Sequence, residues 1–256
     1  MLPIVYIKHA NYENVIADCH WCGHECIFNR ASDIGTFEPI WGEDVKCLKD
    51  SCQKPFRIVS DTANERHEML VFDCHQLFER KQYMYCILNL TMAYEMFFSL
   101  FLRVELLYKL FIADPNLRHS EKLDRMNTLS RKLERKTRGW AFGKMRNIFL
   151  SVATDQLPVP DLDTSERRIA SLNSQNTSEC RIRDLSDREM VPFLVRLKHT
   201  DINVIRNAVV HKRGYRPTGM EAEKYLEETK DILFNLTRHL DLHDNLNYWI
   251  GTRSLP

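Results

Sequence analysis

A mainly α fold, an all-helical bundle preceded by a small β module, is what the sequence predicts. Three features point to it. Five of the eight cysteines fall between Cys19 and Cys52, among short apolar runs and turn residues. From about residue 62 the texture changes to long stretches of helical periodicity. Helix-start patterns, Ser or Thr with Glu three places on, stand at Thr62, Ser186 and Thr218.

Size and composition set the bounds. With 256 residues, 44% hydrophobic and 28% charged, the chain can build one large domain or two modest ones. Eight Gly and nine Pro are too few for a collagen-like or low-complexity chain. The formal net charge of +1 excludes a polyanion binder in which the whole surface takes part, so any nucleic-acid contact must come from local patches. The start, MLPIVYIKHANYENVIADC, has no basic region followed by a continuous apolar one, so no signal peptide is expected. Clustered cysteines in such a chain favour a metal site in a reducing cytoplasm over a disulfide framework.

Residues 1–60 form the expected first domain, with IGTFEPIW and FRIVS as short strands. Cys19 and Cys22 are one close pair, Cys47 and Cys52 another, with 24 residues between the pairs. Each pair fits one tight turn that presents two thiolates, and two such turns complete a tetrahedral Zn²⁺ site. Gly23 suits the backbone of the first turn. Zinc–thiolate bonds then replace the core that so short a segment cannot build. The pattern resembles a zinc ribbon with a structural zinc ion. Cys26, His20 or His24 in place of one ligand stays open, as do unliganded thiols and a redox pair. Six Lys or Arg against eight Asp or Glu leave residues 1–60 at a net −2, which favours a structural or protein-docking role over phosphate tracking.

Residues 61–256 form the expected helical domain. Helices are expected over 63–79, 81–112, 119–136 and 140–154. The second contains MYCILNLTMAYEMFFSLFL, which approaches the length of a membrane span. Asn89 and Glu95 interrupt it, and a carboxylate at mid-span costs a few kcal/mol, so a buried core helix is the better reading. A polar loop follows at about 155–185, where DQLPVPDLDTSERR carries two prolines. Helices from Ser186 to about Lys198, with an irregular turn at Pro192, from about Asp201 to Arg213, and from Thr218 to about Leu240 complete the set.

Charge is uneven along this domain. Residues 116–147 hold ten Lys or Arg against three acids, and residues 195–217 hold six against one. Either run can be an ordinary solvated helix face. If they flank a site, Arg131, Lys132, Arg135, Lys136, Arg138, Lys212 and Arg213 are the candidate RNA phosphate contacts.

The chemistry centres on DINVIRNAVVHKRGYR, residues 201–216. Arg206 and His211 are separated by four residues, and Asn207 directly follows the arginine. This resembles the Rx4-6H motif of HEPN domains, an all-α family with many metal-independent ribonucleases. The resemblance extends to a long early helix (CILNLTMAYEMFFSLFLRVEL) and a long final one (EAEKYLEETKDILFNL), over roughly residues 62–250. A second match, Arg238 with His243, lacks the Asn and lies at the end of the last helix.

The resemblance implies a HEPN-like helical fold with Arg206, Asn207 and His211 as catalytic residues. Asn207 and His211, four apart, lie one above the other, so the amide can orient the imidazole or hold a phosphate. A histidine titrates near neutrality and can exchange a proton during 2′-hydroxyl attack on the phosphodiester. An arginine steadies the charge that builds at phosphorus. The resemblance further implies 2′,3′-cyclic phosphate products and a homodimer that brings two motifs into one cleft. The biological setting expected is a prokaryotic toxin or anti-phage effector with an antitoxin or sensor partner. His199 and Tyr215 stand at the rim, with structural roles favoured for both. The competing expectation is a non-catalytic helical module that binds protein or RNA.

Overall fold

The computed structural model describes residues 2–36, 39–62, 64–110, 122–155, 161–172, 178–212 and 214–242. The chain is mainly helical with a small sheet region at its start.

Six short strands build two three-stranded sheets. Strands β2 (His9–Ala10), β3 (Asn14–Asp18) and β4 (Glu25–Asn29) form an antiparallel meander. Strand β6 (Pro55–Val59) runs parallel to β1 (Ile4–Tyr6) and antiparallel to β5 (Glu43–Lys46). Alternation decides which side chains go inside. In β4, Cys26 and Phe28 are buried while Glu25 and Ile27 face out. Val15, Ala17, Phe56 and Ile58 complete a small core, with Phe28 and Phe56 ring centroids 6.2 Å apart. FRIVS is strand as expected, whereas the described residues of IGTFEPIW form no strand. Its Ile34 ends a π-helical turn, Arg30–Ile34, which Asn29 caps by accepting from the Ala31 and Ser32 amides.

Nine helices follow among the described residues: α1 (Arg66–Glu79), α2 (Tyr83–Arg103), α3 (Lys122–Thr137), α4 (Phe142–Thr154), α5 (Leu162–Ser171), α6 (Glu179–Arg183), α7 (Val191–His199), α8 (Ile202–His211) and α9 (Gly219–His239). A π-helical turn, Val104–Tyr108, extends α2. Helix α2 is the hub. Leu90, Ala93, Tyr94, Phe97, Phe98 and Phe101 are all fully buried. Phe97, Phe98 and Phe101 all pack on Phe149 of α4, the last with centroids 4.4 Å apart. Burying one such ring stabilises the fold by about 1.5–3 kcal/mol. The stretch Tyr83–Tyr108 is long and apolar enough to cross a bilayer. Its fully buried aromatic residues are instead those of a core helix wrapped by α1, α4, α8 and α9.

Local signals fared unevenly. Thr218 forms the expected capping box with Glu221 and starts α9. The Thr62 box does not form. Glu65 is the N-cap of α1, and the Thr62 hydroxyl takes the Asn64 amide instead. Nor does Ser186 start a helix; Asp187 accepts the amides of Glu189 and Met190, and α7 begins at Val191. Pro192 therefore lies in the first turn, where its missing N–H costs nothing. The expected loop at 155–185 contains two helices, α5 and α6, the first capped by the Asp161 carboxylate on the Thr164 amide at 2.6 Å.

Candidate functional site

The paired cysteines come together. Tight turns after β3 and β5 bring the Sγ atoms of Cys19, Cys22, Cys47 and Cys52 within 4.8 Å of one another. Cys19 to Cys52 is 3.9 Å and Cys22 to Cys47 is 3.7 Å. A tetrahedron with bonds of about 2.3 Å has sulfur edges of roughly 3.8 Å, so four thiolates and these spacings suit Zn²⁺. Gly23, at φ +68°, takes the left-handed backbone that lets its amide return to the Cys19 carbonyl. The Trp21 and Lys49 amides point at the sulfurs of Cys19 and Cys47 at 3.4 and 3.5 Å. Amides placed this way stabilise thiolates and orient them. Burial pushes the Cys19 thiol up, but amide donation from Trp21 and Cys22 outweighs it and holds the group at about 7.

The alternative ligands stand outside this quartet. Cys26 is fully buried, 3.9 Å from the Cys47 sulfur, and takes the Leu48 amide. The His20 ring lies edge-on to Trp21. Trp21 itself is pinned by its indole N–H on the Pro55 carbonyl at 2.9 Å.

Helix α8 carries the Arg–His motif and rests on α2 through Ile202, Ala208 and Val209. Its outer side presents Val204, Asn207, Val210 and His211 to solvent, with Arg206 half-buried beside them. The Arg206 guanidinium donates to the Asn207 amide oxygen at 3.1 Å. Among the described residues Asn207 makes no hydrogen bond to His211; its amide oxygen is engaged with the arginine. At the start of α8, Asp201 accepts from the Tyr225 hydroxyl at 2.7 Å, which with Lys224 holds its carboxyl below the usual range. Tyr215 donates to Glu221 at 2.8 Å and ties the loop after α8 to the capping box. His199 is paired with Glu179 at 2.9 Å.

Glu95, on α2, belongs to this neighbourhood and was not among the expected site residues. Burial pushes its carboxyl up, and the charge of Arg206 pulls the other way. Its signal in the sequence was a carboxylate inside an otherwise apolar helix.

The basic candidates are less uniform than their run suggests. Arg131 and Arg135 are exposed on α3, and Lys212 is exposed after α8. Lys132 pairs with Glu166 of α5 at 3.2 Å, and Arg138 with Glu134 at 3.6 Å. Lys136 donates to the carbonyls of Ile169 and Ala170 at the end of α5. Arg125 meets Asp163 and Glu166. Helix α5 therefore answers much of the positive charge of α3. Arg213 and His243 lie outside the described residues. Helix α3 packs on α5 and α2, and α8 packs on α2 as well, so both helices rest on the hub and only α3 has α5 beside it. No protein-family model, curated protein or solved structure matches this chain.

Proposed function

We propose that this chain is a metal-independent endoribonuclease of the HEPN type, with a zinc ribbon as its structural or partner-docking module. The observation that carries the reading is the outer side of α8, where Arg206, Asn207 and His211 stand together with His211 open to solvent. In this reading His211 moves the proton, either from the attacking 2′-hydroxyl or to the leaving 5′-oxygen. Arg206, held by Asn207, stabilises charge on the phosphorane-like transition state. The ribose supplies the nucleophile, so DNA resists cleavage.

One histidine serves poorly as both acid and base. A two-fold dimer through α8 would supply a second, and the exposed Val204 and Val210 beside the motif offer apolar area for it. Cys19, Cys22, Cys47 and Cys52 would hold a structural zinc ion that clips the ribbon turns together. A toxin or anti-phage effector with an antitoxin partner is the setting this reading fits.

A second reading, a non-catalytic helical module that binds protein or RNA, draws on the pairing of α3 with α5, which shrinks the surface open to a polyanion. Incubation of purified protein with RNA in EDTA separates the two. The nuclease reading requires cleavage by the wild type and none by His211→Ala or Arg206→Ala; intact RNA throughout favours the module.

A further inference from the structure

Between the ribbon and the bundle lies a cleft of about 350 Å³, within the size range of small-ligand sites. Three elements wall it: the loop Asn11–Glu13, one side of α1 through Asp73 and Arg80, and one side of α2 through Tyr85, Asn89 and Met92. The α2 residues recur at helical spacing, four and then three apart, so a single stripe faces the opening.

The charges in this cleft do not balance locally. Asp73 is half-buried, and its one hydrogen bond among the described residues is a long one, 3.3 Å, from the Tyr12 amide. No Lys or Arg among the described residues forms an ion pair with it, nor with Glu13 on the opposite wall. Burial pushes the Asp73 carboxyl up, Glu13 adds to that, and His9 opposes it. A carboxylate taken partly out of water beside another acid is unfavourable until a cation joins it. Arg80 sits seven residues on, about 10.5 Å along the helix axis. It has no acidic partner among the described residues, so it marks the far end of the cleft as positive.

The polar and aromatic lining agrees with this. Asn89 is a half-buried amide with no hydrogen-bond partner among the described residues, on a mainly apolar stretch of α2. Tyr85 is 53% exposed at the same opening. An amide oxygen accepts from N–H groups, and a tyrosine ring attracts a cation.

We propose that this cleft binds a small organic cation of the guanidinium or alkylammonium class, with its charged head at Asp73 and Glu13 and its body along Tyr85 and Asn89. The site is separate from α8 and does not depend on the nuclease reading. A phosphate or nucleotide is disfavoured, because it would meet the carboxylates of Asp73 and Glu13.

The test uses the full chain and two probes of nearly equal shape, L-arginine and L-citrulline, which differ in the charge of the end group. Calorimetric or NMR titration is expected to show saturable arginine binding and citrulline binding at least tenfold weaker. Asp73→Asn is expected to weaken arginine at least tenfold, with a melting temperature equal to or above that of the wild type. Asn89→Leu, which suits an apolar helix, provides a second folded variant with weakened binding. Equal binding of the two probes, no saturable arginine binding, arginine binding unchanged by Asp73→Asn, or preferential binding of AMP would each overturn the proposal.

Discussion

Arg30 and Asp61 meet as a two-pronged ion pair in the interior of the ribbon, with N–O distances of 2.7 and 2.8 Å and almost no solvent exposure. Each carries further bonds. Arg30 donates to the Asn11 carbonyl, and Asp61 accepts the amides of Ile40 and Thr62. The pair thus ties the π-helical turn after β4 to the segment that leads into α1. Removing one partner strands the other's charge in a dry interior, which costs about 3–5 kcal/mol. Arg30→Met or Asp61→Leu alone is therefore expected to lower stability by that amount. The double variant should lose less than the sum, and urea denaturation of the four proteins measures the difference.

The candidate metal centre has its own prediction. Elemental analysis of the purified protein should find one zinc per chain. Cys22→Ser should lose the metal and lower the melting temperature, because zinc binding and ribbon folding are one equilibrium. Cys26→Ser should keep the metal, since its sulfur is outside the quartet. Retention by Cys22→Ser with loss by Cys26→Ser would reassign the ligands.

Glu95 links stability to pH. Its folded value lies above the ordinary carboxyl value, with burial as the cause. The fold therefore favours the protonated form, and that contribution is complete at low pH and lost as pH rises through the folded value. Glu95→Gln should accordingly stabilise the protein at pH 7, by less than about 1 kcal/mol because the group is partly solvated. The gain should vanish near pH 4. Thermal melts across this range check the sign.

Helix α3 offers a test of charge roles. Lys136 serves the carbonyl end of α5, so Lys136→Ala should cost about 1 kcal/mol of stability and leave RNA affinity unchanged. Arg131 and Arg135 are exposed. Their double Ala variant should keep stability and reduce the salt dependence of RNA binding, by a slope of roughly one for each phosphate that an arginine had neutralised. Fluorescence anisotropy at several salt concentrations reads both.

What could be read in advance depended on how local the physics is. The clustering of the four thiols was legible from spacing, because a tight turn can present two sulfurs only a few residues apart. The Thr218 box was legible because donor and acceptor sit within one turn. Helix α5 was not. The two prolines just before it and its own polar residues suggested a loop, while its buried pair, Ser165 and Ile169, with half-buried Leu162 beside them, is too sparse to stand out. It forms because Asp161 caps it and the basic face of α3 takes its acids, a tertiary effect invisible to a local window. The same distance effect hid the role of Lys136. Glu95 and Asn89 were visible as interruptions of an apolar helix, but where each one points is decided by elements far along the chain.

The aromatic hub has a consequence for the birth of the protein. Phe97, Phe98 and Phe101 leave the ribosome well before Phe149, which covers them, and before the helices Ile202–His211 and Gly219–His239 that close the remaining sides. For that interval the nascent chain exposes a sticky greasy rod that only α1, already made, can cover. Chaperone demand during synthesis, and clumping of fragments truncated before residue 142, follow from gene order alone.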